Sequence, residues 1–135
     1  MEESKKRSGS GSEPNMADRV LKQVVDCDPS VLSLIVLDGD GRVLSTGRSS
    51  RLQKEEYADQ ATAEKLGAIA SVIMGSASNA KELLGGIEFL IGAFKKQKVL
   101  LVNLQQYSLL LALRMTRSAN AEYVYRKISD ILASN

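Results

Sequence analysis

The sequence predicts an α+β domain in the order α-β-β-α-β-β-β-α, with five strands in one antiparallel sheet and a long central helix crossing between its two halves. Three observations carry this. Four short runs are apolar and bounded by turn residues, a fifth and more polar run follows the first across a tight turn, and three other stretches repeat their apolar residues at spacings of three and four. The links between the last three apolar runs are only a few residues long, which forces antiparallel neighbours because a parallel return needs about a dozen residues or more.

The first helix is predicted over residues 17–26, where Val20, Leu21, Val24 and Val25 keep helical spacing and Asp18 suits the positive end of the helix dipole. Pro29 ends it. The run Val31 to Leu37 reads as a strand buried on both faces. Asp38-Gly39-Asp40-Gly41 turns the chain into a shorter, more polar partner over 42–47. Residues 48–56 are polar and charged and form a connecting loop. The longest helical pattern runs from about Tyr57 to Ala80, roughly 36 Å at 1.5 Å per residue. Leu66, Ile69, Ala70, Ile73 and Ala77 form its apolar stripe. A second row, Ala63, Gly67, Ser71 and Gly75, has almost no side-chain bulk, although glycine costs about 1 kcal/mol in a helix interior. Close approach of another backbone explains such a row, either the sheet below or a second helix alongside. Three strands follow over 86–94, 98–104 and 107–115, linked by Lys95-Lys96-Gln97 and Gln105-Gln106. The last helix opens near Ser118, a favourable N-cap residue, and lines up Ala121, Val124, Ile128, Ile131 and Leu132 on one face.

With 135 residues the chain can bury roughly two thirds of its unfolded surface, so one domain over 16–135 needs neither disulfides nor a structural metal. Residues 1–15 have no large apolar side chain beyond Met1 and carry a Ser-Gly-Ser-Gly-Ser run, so they read as a flexible tail, native or an expression remnant. A net charge of +2 is too balanced for the electrostatic footprint of a nucleic-acid binder, and two Phe and four Tyr offer few stacking platforms. The chain has no His, which removes the commonest general acid/base and metal ligand near neutral pH. Its single Cys27 fits a reducing compartment, and the longest uncharged stretches are too short to span a bilayer. No secretory signal opens the sequence, so a cytoplasmic location without membrane insertion is expected.

The element order, the segment Leu34-Ile-Val-Leu-Asp-Gly-Asp-Gly-Arg-Val-Leu44, the small-residue-rich central helix, the Gly86-Ile-Glu-Phe-Leu90 strand and the closing Arg117 to Arg126 segment resemble the Roadblock family of dynein-associated light chains. The resemblance spans residues 17–134. It implies a homodimer, or a heterodimer with a related chain, in which the third strand pairs edge to edge with its copy and the central helices pack antiparallel. Ile87, Phe89 and Ile91 agree independently, since an apolar sheet edge needs covering or pairing, and the row Ala63, Gly67, Ser71, Gly75 would let helices meet. The resemblance also implies a non-enzymatic platform that binds a Ras-like small GTPase and affects its nucleotide cycle. The alternative is a structural adaptor that leaves nucleotide turnover unchanged.

Other motifs read as structure. Asp38-Gly39-Asp40-Gly41 lacks the Glu that an EF-hand has at its twelfth position, where Ser49 stands, so it is a hairpin turn. Cys27 has no His to activate it and reads as a packing residue. Lys95, Lys96 and Lys98 blunt a hairpin tip, and Arg48 and Arg51 lie in a charged loop with Lys54, Glu55 and Glu56. Of these, Arg48, Arg51, Lys95 and Lys96 are the partner-contact candidates. No Walker-type glycine-rich loop is present, and no cofactor is expected.

Overall fold

A computed structural model describes residues 16–49 and 60–135. It contains α1 (Met16–Val25), β1 (Val31–Leu37), β2 (Val43–Arg48), α2 (Gln60–Ala77), a short α3 (Lys81–Leu84), β3 (Phe89–Ala93), β4 (Gln97–Leu104), β5 (Leu109–Thr116) and α4 (Ala121–Ala133). The strands form one five-stranded sheet in the order β2-β1-β5-β4-β3, every pair antiparallel. The expected α+β order is observed, with α2 carrying the chain from one sheet edge to the other.

Strand alternation sorts the core into two layers. On one face, Leu34, Leu113 and Leu100 stand side by side across β1, β5 and β4. They are buried beneath α1 and α4 with Val24, Val124 and Ile128. On the other face, Ile35, Ala112 and Leu101 lie side by side beneath or beside α2. β5 is the central strand, bonded to β1 and β4. Its continuous apolar run follows from burial on both faces.

Boundaries differ from the sequence expectation where local hydrogen bonds intervene. The regular part of α2 ends at Ala77 because Ser78 Oγ donates to the Met74 carbonyl and the chain tightens into a 3₁₀ turn before α3. β3 begins at Phe89 rather than Gly86: Gly85 turns the chain at φ +89°, and the Asn103 side-chain amide takes the Ile87 carbonyl. Asn120, not Ser118, caps α4, its side chain accepting the Tyr123 N–H at 3.1 Å. The link before β5 is a 3₁₀ turn over Gln105–Tyr107 closed by Ser108 in the left-handed region.

The face that α2 buries is also shifted. Ala63, Gly67, Ala70 and Met74 are its buried residues, whereas Ile69 and Ile73 of the anticipated stripe are exposed. A β-carbon on Gly67 would lie 2.6 Å from Leu37 Cδ2 and 3.3 Å from the Gly41 carbonyl oxygen. The β1–β2 hairpin therefore approaches closely enough that even an alanine would have to displace the Leu37 side chain, and the small-residue row faces the hairpin while the bulkier stripe turns outward.

Candidate protein-interaction surface

The two faces of the sheet are covered unequally. α1 and α4 pack over one face, but α2 rests mainly on β1, β2 and β5 and leaves the same side of β4 and β3 only partly covered, with Val99 and Leu90 half-buried. The result is an apolar groove of about 290 Å³, floored by Val99, Leu101 and Leu90 and walled by Leu66, Ile69 and Ile73. Beside it stand Val72, 68% exposed, and Phe94, 60% exposed. Leu83 and Leu84 on α3 are 84% and 78% exposed. Scattered exposed apolar residues are ordinary, but a contiguous apolar helix flank and sheet face mark an interaction surface.

β3 borders this groove and, among the described residues, is an edge strand. The Phe94 N–H donates to the Gln97 carbonyl and the Glu88 carbonyl accepts the Asn103 N–H, so the even-numbered residues of β3 bond inward to β4. Phe89, Ile91 and Ala93 consequently present their N–H and C=O groups outward. The edge is apolar and has no bulge, proline or charged side chain between Phe89 and Ala93. The opposite edge, β2, is protected in two ways: a register irregularity leaves Leu44 as a bulge, and Arg48 stands at its end.

The sequence-derived candidates separate on this frame. Ala63, Gly67 and Ser71 face the chain's own hairpin, where the Gly41 β-carbon position lies 2.7 Å from Ser71 Cβ. A β-carbon on Gly75 meets only open space. Of the two explanations for the small-residue row, approach of the chain's own sheet holds for its first three members. Ile87 packs against the α2-side core, and Phe89 stacks on Tyr125 of α4 with ring centroids 4.1 Å apart. Ile91 is exposed on the β3 edge. Lys95 and Lys96 are exposed at the β3–β4 tip, whereas Lys98 is engaged, donating to the Ala119 carbonyl at 2.7 Å. Arg48 is exposed at the end of β2, and Arg51 lies outside the described residues. Sequence reasoning missed Val72, Leu83, Leu84 and Phe94 as surface features. The signal for Val72 was an excess of apolar residues over what one face of α2 can bury.

The polar clusters are structural. The Asp38 carboxylate accepts the backbone N–H groups of Asp40 and Arg42 at 2.8 and 3.0 Å, the former an Asx turn within the hairpin. These bonds, the Arg42 N–H foremost, hold its pKa below the ordinary value. Burial, followed by the neighbouring Asp28 carboxylate, pushes the Cys27 thiol up, away from the thiolate form a nucleophile requires. Among the described residues no group of His, Cys, Asp and Glu could hold a metal ion, and no helix is long and apolar enough to cross a membrane.

Asp28 ties the α1–β1 turn to α4. Its carboxylate accepts the Ser30 hydroxyl at 2.6 Å and the Lys127 ammonium at 3.1 Å. The Ser30 hydroxyl, with Lys127 in support, keeps its pKa below the ordinary 3.8. A carboxylate depressed on folding stabilises the native state above its unfolded pKa and loses that contribution as pH falls through the folded value. Thermal melts should therefore show wild type above Asp28→Asn at neutral pH, with the gap closing below about pH 4. A gap unchanged down to pH 2 would contradict this role.

Comparison with known proteins agrees with the architecture. The family description "Roadblock/LC7 domain" matches residues 16–114. Among solved structures, the Roadblock/LC7 domain from Streptomyces avermitilis is similar at TM-score 0.69 and 18% identity, covering 87% of this chain and 92% of that one. An MglB in a tetrameric arrangement is similar at TM-score 0.67 and 13% identity, covering 86% and 82%. The gliding protein MglB from Thermus thermophilus is similar at TM-score 0.63 and 11% identity, covering 95% and 99%. At these identities the likeness is one of fold. No curated protein matches the chain.

Proposed function

The chain belongs to the Roadblock/LC7 family, and on that footing we propose that it is a non-enzymatic, dimeric platform that binds a Ras-like small GTPase and modulates its nucleotide cycle. The observation that carries the dimer is the apolar groove on the partly covered α2-side face, beside an unprotected β3 edge. A second copy paired along β3 would extend the sheet and bring its own α2 towards the groove. The helix part of the seam then uses Ile69, Val72 and Ile73, which are exposed, with Gly75 as open space between them. Ala63, Gly67 and Ser71 serve it indirectly, by letting α2 lie close to its own hairpin.

The GTPase part rests on the family resemblance and on chemistry. A partner without His can still change turnover, because a ligand shifts an equilibrium through its differential affinity for two states. The purified protein should therefore bind the GTP-bound and GDP-bound forms of a Ras-like GTPase unequally and change hydrolysis or nucleotide release. Arg48→Ala and Arg51→Ala should leave stimulated hydrolysis within a few-fold of wild type. A loss of about a thousand-fold with binding intact would point instead to an inserted arginine. Equal affinity for both nucleotide forms would favour the structural adaptor.

A further inference from the structure

Among the described residues, three apolar side chains at the ends of β3 stay exposed. Phe94 projects at the β3–β4 tip, and Leu83 and Leu84 project from α3 at the other end of the strand. Charges flank both: Lys95 and Lys96 follow Phe94, while Glu82 lies on α3 and Glu88 just before β3. All four charged residues are exposed, and among the described residues none has an ion-pair partner.

Any role for them between chains rests on the proposed β3 dimer. Two identical strands pairing antiparallel are related by a two-fold axis perpendicular to the sheet, a self-complementary arrangement. Phe89, Ile91 and Ala93 present the outward groups. A pair centred on Ile91 uses all of them, Ile91 against Ile91 and Phe89 against Ala93. Centring on Leu90 would require the Ile87 carbonyl, which already accepts the Asn103 side-chain amide at 3.0 Å. Centring on Gly92 would require Lys95, in the turn beyond the strand.

The Ile91 centre sets Phe94 opposite Glu88 of the second copy, Lys95 opposite Ile87 and Lys96 opposite Gly86. Phe94 lies on the α2 side of the sheet, since its Cε2 is 3.1 Å from the β-carbon position of Gly92. Glu88 is exposed just before β3, four residues after the end of α3. We infer that the β3–β4 tip of each copy latches onto the α3 corner of the other, Phe94 against Leu83 and Leu84, and Lys95 and Lys96 against Glu82 and Glu88. The latch occurs twice by symmetry and locks the register at Ile91. Exposed apolar residues and opposite charges then meet at one place.

The test has two arms. Lys95→Glu with Lys96→Glu should weaken dimerisation about tenfold at low salt, as should Glu82→Lys with Glu88→Lys, while the chain carrying all four changes should return to within a few-fold of wild type. In a Cys27→Ser background, Ile91→Cys should form an intermolecular disulfide faster than Leu90→Cys or Gly92→Cys. Directly opposed hydrogen-bonded residues lie about 5.5 Å apart at Cα, within disulfide range. A dimeric protein that cross-links faster at Leu90→Cys or Gly92→Cys, or whose charge swap fails to restore association, overturns the latch and leaves the dimer standing. A monomeric wild type overturns the dimer itself.

Discussion

Leu113→Ala is expected to lower stability by about 2–5 kcal/mol, the range for truncating a large buried aliphatic side chain. Leu113 is fully buried at the centre of β5, with Leu34 and Leu100 directly opposite on either side. A strand bonded on both sides cannot move inward to fill the space, so the cavity persists and the lost contacts are not regained. For a domain of this size, that is a fall of roughly 10 °C or more in the thermal midpoint. Ile73→Ala, on the exposed flank of α2, serves as the contrast and should change the midpoint of the monomer little. A Leu113→Ala protein melting within about two degrees of wild type would mean that the core does not lie where the strand registers place it.

Ile91→Pro is expected to convert the protein into a folded monomer. The Ile91 N–H points to the open edge, so proline there removes no bond of the β3–β4 ladder, and edge strands with an outward N–H tolerate proline. In the two-fold pair, the same N–H from each copy would bond at the axis, so both central bonds are lost together. The variant should elute as a monomer where wild type is dimeric and keep its far-UV circular dichroism. Its midpoint should fall by no more than the loss of dimer linkage explains. Retained dimerisation would remove the seam from this edge, whereas loss of the spectrum would mean that β3 bonds inward through Ile91.

Much of the fold was legible because its signals are local. Val31 to Leu37 is the observed β1, since turn residues bound an apolar run on both sides. The closing helix was recognisable from Val124 and Ile128, but its start was misplaced because Ser118 and Asn120 are both capable caps, and only the bond to Tyr123 distinguishes them. The orientation of α2 was not legible. Its sequence contains two candidate faces, one of Ile69 and Ile73 and one of Ala63 and Gly67, and periodicity alone favours the bulkier as the core. What decides is non-local: the β1–β2 hairpin brings Leu37 and Gly41 so close that a side chain at position 67 would have to push Leu37 aside. The same reversal explains why the candidate surface was only partly foreseen. The β3 edge could be read from an apolar run beside a hairpin, but Leu83 and Leu84 fall between the helix expected to end near Ala80 and the strand expected from Gly86, and their exposure goes with the turn at Ser78 and the φ of Gly85. Arg48 and Arg51 were singled out by charge, a signal that a solvated loop produces equally well.

The central claim is that a second copy pairs along β3 and closes the apolar groove on the α2-side face. Sedimentation equilibrium of the wild-type protein at tens of micromolar tests it most directly. The expected result is a mass twice that of the 14.6 kDa chain, reverting to a single chain on dilution or in Ile91→Pro. A wild type that sediments as a single 14.6 kDa chain throughout that range would contradict it.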